Sequence, residues 1–211
     1  MFYENWMSYI KDDAKLTNIA IPGSHNAGTR GMVALARCQN GTLPEQYCYG
    51  VRKFGIRIKA GRNGKLYIAH GLAKGITADE AFRELGSIVD KYDDFMILDI
   101  RTYPGQGIGP FRFEYSSDPK EIDALIAKYL KPEKYALTDF DDIKNVTLGD
   151  IRREGKKYII LSSKKEYEYS CDCQLLGPWD PKIFGSKPEV FAKECVNYLR
   201  ELETEGFFWL Q

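Results

Sequence analysis

Residues 53–59, KFGIRIK, alternate in character along their whole length. Phe54, Ile56 and Ile58 are apolar, while Gly55, Arg57 and Lys59 are small or cationic. A period of two is the mark of a strand with two unlike faces. One face packs, and the other points Arg57 towards whatever the neighbouring strands present. Working outward, further short apolar runs read as strands at 18–23 (NIAIPG), 65–69 (KLYIA), 94–101 (DFMILDIR), 157–162 (KYIILS) and 207–211 (FFWLQ). In 94–101 the same arithmetic puts Ile97, Asp99 and Arg101 on one face, which adds a carboxylate and a second guanidinium.

Helical signals separate these runs. Thr77 to Glu80 forms a capping-box pattern opening a helix to about residue 91, with Ala81, Leu85, Ile88 and Val89 on one side. Asp118 and Pro119 start another, carrying Ile122, Leu125, Ile126 and Tyr129 inward. Ser186 and Pro188 introduce a third, which Gly206 stops. The region 102–117 is rich in Gly and Pro and ends with Phe111, Phe113 and Tyr115 in alternation. Strands alternating with helices predict an α/β fold with a mainly parallel sheet or barrel. There is no internal repeat, low-complexity tract or linker, so residues 1–211 read as one domain.

A chain of 211 residues can bury a core of its own. Hydrophobic residues make up 44%, and no apolar run approaches the roughly 18 residues that span a bilayer. Thirty basic and thirty acidic residues cancel, which removes the electrostatic basis for nucleic acid as a partner. The opening MFYENWMSYIKDDAK carries acids and has no continuous apolar stretch, so a signal peptide is expected to be absent or removed. Secreted and cytoplasmic locations both stay open, with a peripheral place at a membrane allowed. Five cysteines leave at least one thiol unpaired; buried thiols are the favoured reading, with a Cys38–Cys48 bridge as the alternative. Without a Cys-x-x-Cys pair, and with the histidines distant in sequence, zinc is not expected.

The chain has two histidines. His25 stands in IPGSHNAGTR (21–30), past the end of an apolar run, and His70 stands in KLYIAHG, past another. If both follow strand ends on one rim, they converge there with Arg57. Two imidazoles and a fixed cation are a minimal kit for breaking a phosphodiester by an internal hydroxyl. One ring takes the attacking proton, the other donates to the leaving oxygen, and the guanidinium neutralises phosphoryl oxygens. The plainer readings are a strand-edge ion pair for Arg57, a mutual pair for Asp99 and Arg101, a turn role for Asn26 and solvated charges for Lys164 and Lys165.

Three blocks in order resemble the X domain of the phosphatidylinositol-specific phospholipase C family. LTNIAIPGSHNAGT is similar to its opening strand followed by Pro-Gly-Thr/Ser-His-Asp/Asn and Gly-Thr. LPEQYCYGVRKFGIRIK is similar to its Gln-x-x-x-Gly-Val-Arg-x-Phe-Asp-Ile-Arg, and LYIAHG to its strand ending in His-Gly. NWMSYI and FMILDIRTY extend the likeness to about residue 102.

The resemblance implies a distorted or incomplete TIM (β/α) barrel acting on phospholipid head groups or inositol phosphates, with no cofactor and no metal. His25 would match the general base, His70 the general acid and Arg57 the phosphate-binding arginine. Arg101 stands where bacterial members carry Lys and calcium-dependent ones Glu. Asn26, Arg101, Asp99 and Lys164 are the expected substrate-binding residues. Departures are Gly55 in place of the usual Asp, Asn26 in place of Asp, and no Asp after GFFWLQ. Asp99 is expected to supply part of the missing charge, holding Arg57 or a histidine. The alternative to a phosphodiesterase is a catalytically impaired module that binds inositol phosphate or a lipid head group.

Overall fold

The computed structural model describes residues 3–102, 107–108, 111–112, 117–162, 165–172 and 188–201. In chain order its strands are β1 (Gly23–Ser24), β2 (Lys53–Ala60), β3 (Leu66–His70), β4 (Ala73–Thr77), β5 (Met96–Thr102), β6 (Gly107–Ile108), β7 (Phe111–Arg112), β8 (Tyr158–Ser162) and β9 (Ser170–Asp172). Its α-helices are α1 (Leu43–Cys48), α2 (Ala78–Lys91), α3 (Pro119–Leu130), α4 (Pro132–Tyr135), α5 (Leu148–Arg153) and α6 (Pro188–Glu201). The main sheet runs β4-β3-β2-β5-β8-β9, with β1 also paired to β2. Strands β5, β8 and β9 continue from β2 in parallel. Among the described residues this is an open α/β sheet, the arrangement of an incomplete barrel.

The alternation in β2 decides what lies on each side. Phe54, Ile56 and Ile58 are fully buried and join Met96, Leu98, Ile100, Tyr158 and Ile160 in one core, covered by α2 and α3 through Phe82, Leu85, Ile122 and Ile126. The other face holds a second core at one end, where Ile97, Ile159 and Leu161 meet Met7, Leu16, Leu148 and Ile151. Beyond that core, the same face carries the polar residues of β2 and β5. Each fully buried aliphatic side chain contributes about 1.5–3 kcal/mol, so the apolar half of the alternation holds the sheet that aims the polar half.

The helix starts follow their capping chemistry. The Thr77 hydroxyl accepts from the Glu80 N–H at the head of α2, and the Asp118 carboxylate accepts from Lys120 N–H at the head of α3. At Gly86 the two helices cross so closely that a Cβ would stand 2.7 Å from the Tyr129 carbonyl oxygen. Complete capping boxes at Thr42/Glu45 and Thr147/Asp150 open α1 and α5, two short helices absent from the sequence reading although Thr-x-x-Glu at the first and Thr-x-x-Asp at the second were there to be seen.

Several expectations are corrected. Residues 18–23 do not form a strand: Leu16–Asn18 is a 3-10 turn, and pairing begins only at Gly23. Pro22 has no N–H for a ladder, and its carbonyl accepts from the N–H groups of Arg52 and Lys53. Ile19 and Ile21 pack instead onto the second core. The sheet is mainly parallel, as expected; its antiparallel part is β3 against β2 and β4, which was not anticipated, against β3. Cys38, Cys48 and Cys171 are free thiols; Cys38 is exposed and the other two are half-buried, so the reading of buried thiols fails for these three and no Cys38–Cys48 bridge forms. The strand expected at 207–211, the Gly206 stop, Phe113, Tyr115 and Lys164 fall outside the described residues.

Candidate active site

The two histidines meet because two strands run towards each other along one edge of β2. Strand β1 is parallel to β2 and ends with Ser24 opposite Phe54; β3 is antiparallel and pairs Ile58 with Ile68, so its last residue, His70, approaches from the other direction. The gap between the two strand ends lies beside Gly55, whose carbonyl accepts from the Ala27 N–H. The rings of His25 and His70 stand across that gap with centroids 6.4 Å apart and planes at 87°. Convergence was expected from strand ends on a common rim, but it comes from this head-on approach.

The loop carrying His25 is fastened on every side. Ser24 Oγ donates to Gln46 Oε1 at 2.6 Å, and Gln46 Nε2 donates to the carbonyls of Ala27 and Gly41. Gln39 Nε2 donates to the His25 carbonyl. Thr29 Oγ1 donates to the Asn26 carbonyl and accepts from the N–H groups of Cys38 and Gln39. Arg30 binds both Glu80 and Glu84 of α2. A Cβ on Gly28 would press Ile68 at 3.1 Å, so the loop lies directly on β3. Buried and multiply bonded, this backbone gives its histidine little freedom to swing away.

Asn26 is buried directly beside His25. It is 1% exposed and adopts the left-handed backbone, φ 48°, which asparagine tolerates better than most residues. Its Nδ2 donates to His25 Nε2 at 2.8 Å and approaches Cys38 Sγ at 3.5 Å. The neutral His25 ring therefore carries its proton on Nδ1 in this state, and a hydroxyl that uses Nε2 must displace the amide. His70 Nδ1 donates to the Ala36 carbonyl at 2.8 Å, with Cys38 Sγ 3.5 Å away. That places a proton on Nδ1, so Nε2 of His70 accepts in the neutral ring and gives a proton to a ligand only from the imidazolium.

Burial and positive charge act together on His25. Partial desolvation of the ring, then the charges of Arg57, Lys53 and His70, bring it from 6.5 down to about 4. At neutral pH the ring is uncharged and can accept a proton. Asp99 lies opposite Gly55 and Arg101 opposite Arg57 in the β2–β5 register. Arg101 Nε donates to Asp99 Oδ1 at 2.9 Å, and Lys53 Nζ lies 3.8 Å from Asp99 Oδ2. The carboxylate anticipated as a partner for Arg57 or a histidine thus joins Arg101 and Lys53.

Lys53 is the residue that sequence reasoning missed. Its position in the alternation, two before Gly55, was a signal, but a lysine at the start of a strand usually reaches solvent. Arg52, beside it, has a structural role: fully buried, it donates to the carbonyls of Tyr47, Val51, Tyr3 and Glu4 and pairs with Asp94 at 2.9 Å. Among the described residues, no three His, Cys, Asp or Glu side chains gather in a way that could hold a metal ion. No described helix is long and apolar enough to cross a membrane.

Comparison with known proteins bears on this geometry. No family model matches the chain. It is 31% identical over 123 residues to a 1-phosphatidylinositol phosphodiesterase of Staphylococcus aureus, a match covering 56% of this chain and 36% of the relative. The chain thus spans only about a third of the curated relatives it matches. Among solved structures, the phosphatidylinositol-specific phospholipase C of Listeria monocytogenes superposes over 99% of this chain and 78% of its own, with TM-score 0.67 and 18% identity. A variant of the Staphylococcus aureus phosphatidylinositol-specific phospholipase C covers 76% of this chain and 52% of its own, with TM-score 0.55 and 23% identity. In partial sequence the chain is similar to the phosphatidylinositol phosphodiesterases of Staphylococcus aureus, and in fold to solved phosphatidylinositol-specific phospholipases C.

Proposed function

We propose that this chain is a phosphodiesterase of the phospholipase C type, cleaving phosphatidylinositol or a closely related phosphodiester through a cyclic phosphate. The observation that carries the reading is the pair of imidazoles 6.4 Å apart, with the cationic Arg57 and Lys53 acting on one of them. Two rings this close can contact different oxygens of one phosphorus centre.

The reaction then follows from the state of each group. His25, uncharged at neutral pH, takes the proton of a head-group hydroxyl adjacent to the phosphate. That oxygen forms a bond to phosphorus, and the bond from phosphorus to the glycerol oxygen breaks. His70, entering the reaction as the imidazolium, gives its Nε2 proton to the departing alkoxide and becomes neutral, so the products are a cyclic phosphodiester and a neutral diacylglycerol. Proton count is conserved, with the proton held by His25 and the one lost by His70 exchanged before the next turnover. Arg57 offers a planar fork of donors to the non-bridging oxygens, whose charge grows as the fifth bond forms. In this reading the positive charge that meets the anionic phosphoryl oxygens comes from the protein, without a metal or organic cofactor. Arg101, held by Asp99, keeps the floor of the site cationic. The Asn26 amide holds Nε2 of the base ring until the substrate hydroxyl displaces it, Lys164 is a candidate for head-group contact, and a membrane surface is the natural place to meet such a substrate.

One observation favours the second reading, a head-group-binding module without turnover. Nδ1 of His70 is supported by a backbone carbonyl where a carboxylate would raise the ring's basicity more strongly. The test separates the two. The protein is incubated with phosphatidylinositol vesicles, and cyclic inositol phosphate is followed by phosphorus NMR beside His25→Ala. Product formed only by the unsubstituted chain supports the enzyme; binding of inositol phosphate with no product supports the module.

A further inference from the structure

We infer that the side-chain amide of Asn26 turns with the protonation of His25: Nδ2 holds the neutral ring, and after proton uptake Oδ1 receives the Nε2 proton. The inference rests on the phosphodiester reading above and makes Asn26 a positioning residue for both states of its base.

The two ends of the amide stand in unlike surroundings. Nδ2 lies 2.8 Å from His25 Nε2 and 3.5 Å from Cys38 Sγ. Oδ1, on the same planar group, is buried and has no hydrogen-bond partner among the described residues. Leaving a buried carbonyl oxygen unmet is costly, and an apolar side chain would fill this space without that cost.

Both atoms that meet Nδ2 can change their role. Nε2 of the neutral ring accepts, whereas Nε2 of the imidazolium only donates, and a thiol does either. Oxygen and nitrogen of an amide differ little in size, so half a turn about the Cβ–Cγ bond sets Oδ1 where Nδ2 stood without asking for more room. There it accepts from the ring's Nε2–H and from the Cys38 S–H. The atom left unmet is then Nδ2, but the bond gained is to a charged donor, which is the stronger kind. An unturned amide would instead point its own N–H at the N–H of the imidazolium.

The backbone confines Asn26 to this motion. Its carbonyl accepts from Thr29 Oγ1 at 2.8 Å, the following N–H, of Ala27, donates to the Gly55 carbonyl at 2.9 Å, and φ is 48°. With the main chain held on both sides, the side chain answers a change at Nε2 by rotating. In the reaction this matters once the head-group oxygen has bonded to phosphorus. That oxygen is then a poor acceptor, and the new imidazolium finds Oδ1 instead.

The test is NMR on the 211-residue chain labelled with carbon-13 and nitrogen-15, followed through the His25 titration. Couplings across hydrogen bonds identify the bonded atoms. Above the midpoint Nε2 is expected to couple to Asn26 Nδ2. Below it that coupling is expected to vanish and one from Nε2 to Asn26 Cγ to appear, with the Nε2 proton protected from exchange. Among the described residues, the titratable and charged groups that face the ring are Arg57 and Lys53 on β2, His70 on β3 and Cys38 in the loop before α1, with Asp99 and Arg101 beside Lys53 on β5. Loss of the first coupling without gain of the second, and an Nε2 proton that exchanges freely with water, overturns the inference. If acid unfolds the chain before His25 takes its proton, the same measurement is made on Arg57→Gln, whose midpoint is expected to lie higher by about half to one pH unit. Asn26→Gly keeps the left-handed backbone and removes the amide, and is expected to lower kcat on phosphatidylinositol about tenfold with KM within about twofold; an unchanged kcat in the folded variant also overturns the inference. Couplings that exchange in a chain that does not cleave phosphatidylinositol leave the Asn26 assignment standing and remove the substrate reading. Cleavage without that exchange does the reverse.

Discussion

The most direct consequence of the site's electrostatics is the low proton affinity of His25, and Arg57→Gln is the perturbation that isolates it. In the folded protein the ring titrates near 4 against an ordinary 6.5, because it is partly desolvated and faces the cations Arg57, Lys53 and His70. A difference of that size corresponds to about 3 kcal/mol between the two protonation states, and screening by the solvent that reaches this half-exposed ring leaves roughly half of it in stability. The sign is set by which state binds the proton. Between pH 6.5 and about 4 the unfolded ring is protonated and the folded one is not, so stability falls as pH drops through that window and levels off below it. Removing the Arg57 charge takes away one repulsive partner. For charges roughly 6 Å apart at an effective dielectric of about 40–80, that repulsion is ~0.7–1.4 kcal/mol, or about half to one pH unit. The assay is the pH titration of imidazole carbon-bound protons by NMR, made simple by a chain with two histidines, with His70→Ala assigning the pair. Two ordinary titrations near 6.5 in the unsubstituted protein, or a His25 midpoint that does not move in a folded Arg57→Gln variant, would refute the electrostatic reasoning.

Other expectations follow from single contacts. His70→Ala should lose about 10²–10⁴ in turnover on a lipid substrate, yet far less on an aryl phosphodiester whose leaving group needs no proton; equal losses on both would remove His70 from the acid role. Gly55→Asp places a carboxylate against the Lys53 ammonium and should raise the His25 midpoint, read by the same titration. Arg52→Met leaves Asp94 without its buried partner and should cost about 3–5 kcal/mol in urea unfolding, with loss of binding only as the fold is lost. Gly86→Ala forces α2 away from the Tyr129 carbonyl and should cost about 1–3 kcal/mol, measured as a lower thermal midpoint.

Much of this fold could be read from residue order because its signals are local. The alternation at Phe54, Ile56 and Ile58 against Gly55, Arg57 and Lys59 needs no partner to be recognised, and Thr77, Asp118 and Pro188 announce helices by chemistry confined to a single turn. The run at 18–23 was misread because its apolar residues serve a packing surface without ladder pairing, which depends on what lies across from them. Strand β4 escaped notice because Ala73–Thr77 has no distinctive pattern and exists through its antiparallel pairing with β3.

The order of residues by itself determined which groups are available: two histidines past apolar runs, a polar strand face with Arg57, and a second bearing Asp99 and Arg101. Tertiary structure decided how they meet. Only the opposed directions of β1 and β3 along β2 bring the imidazoles together, only the register sets Asp99 beside Gly55, and only the stacking of Gly23 over Lys53 turns that side chain inward. The physical reason is range. Periodicity and capping act over a few neighbouring residues, whereas strand direction, register and the path of a long side chain are settled by contacts between segments that are distant in the chain.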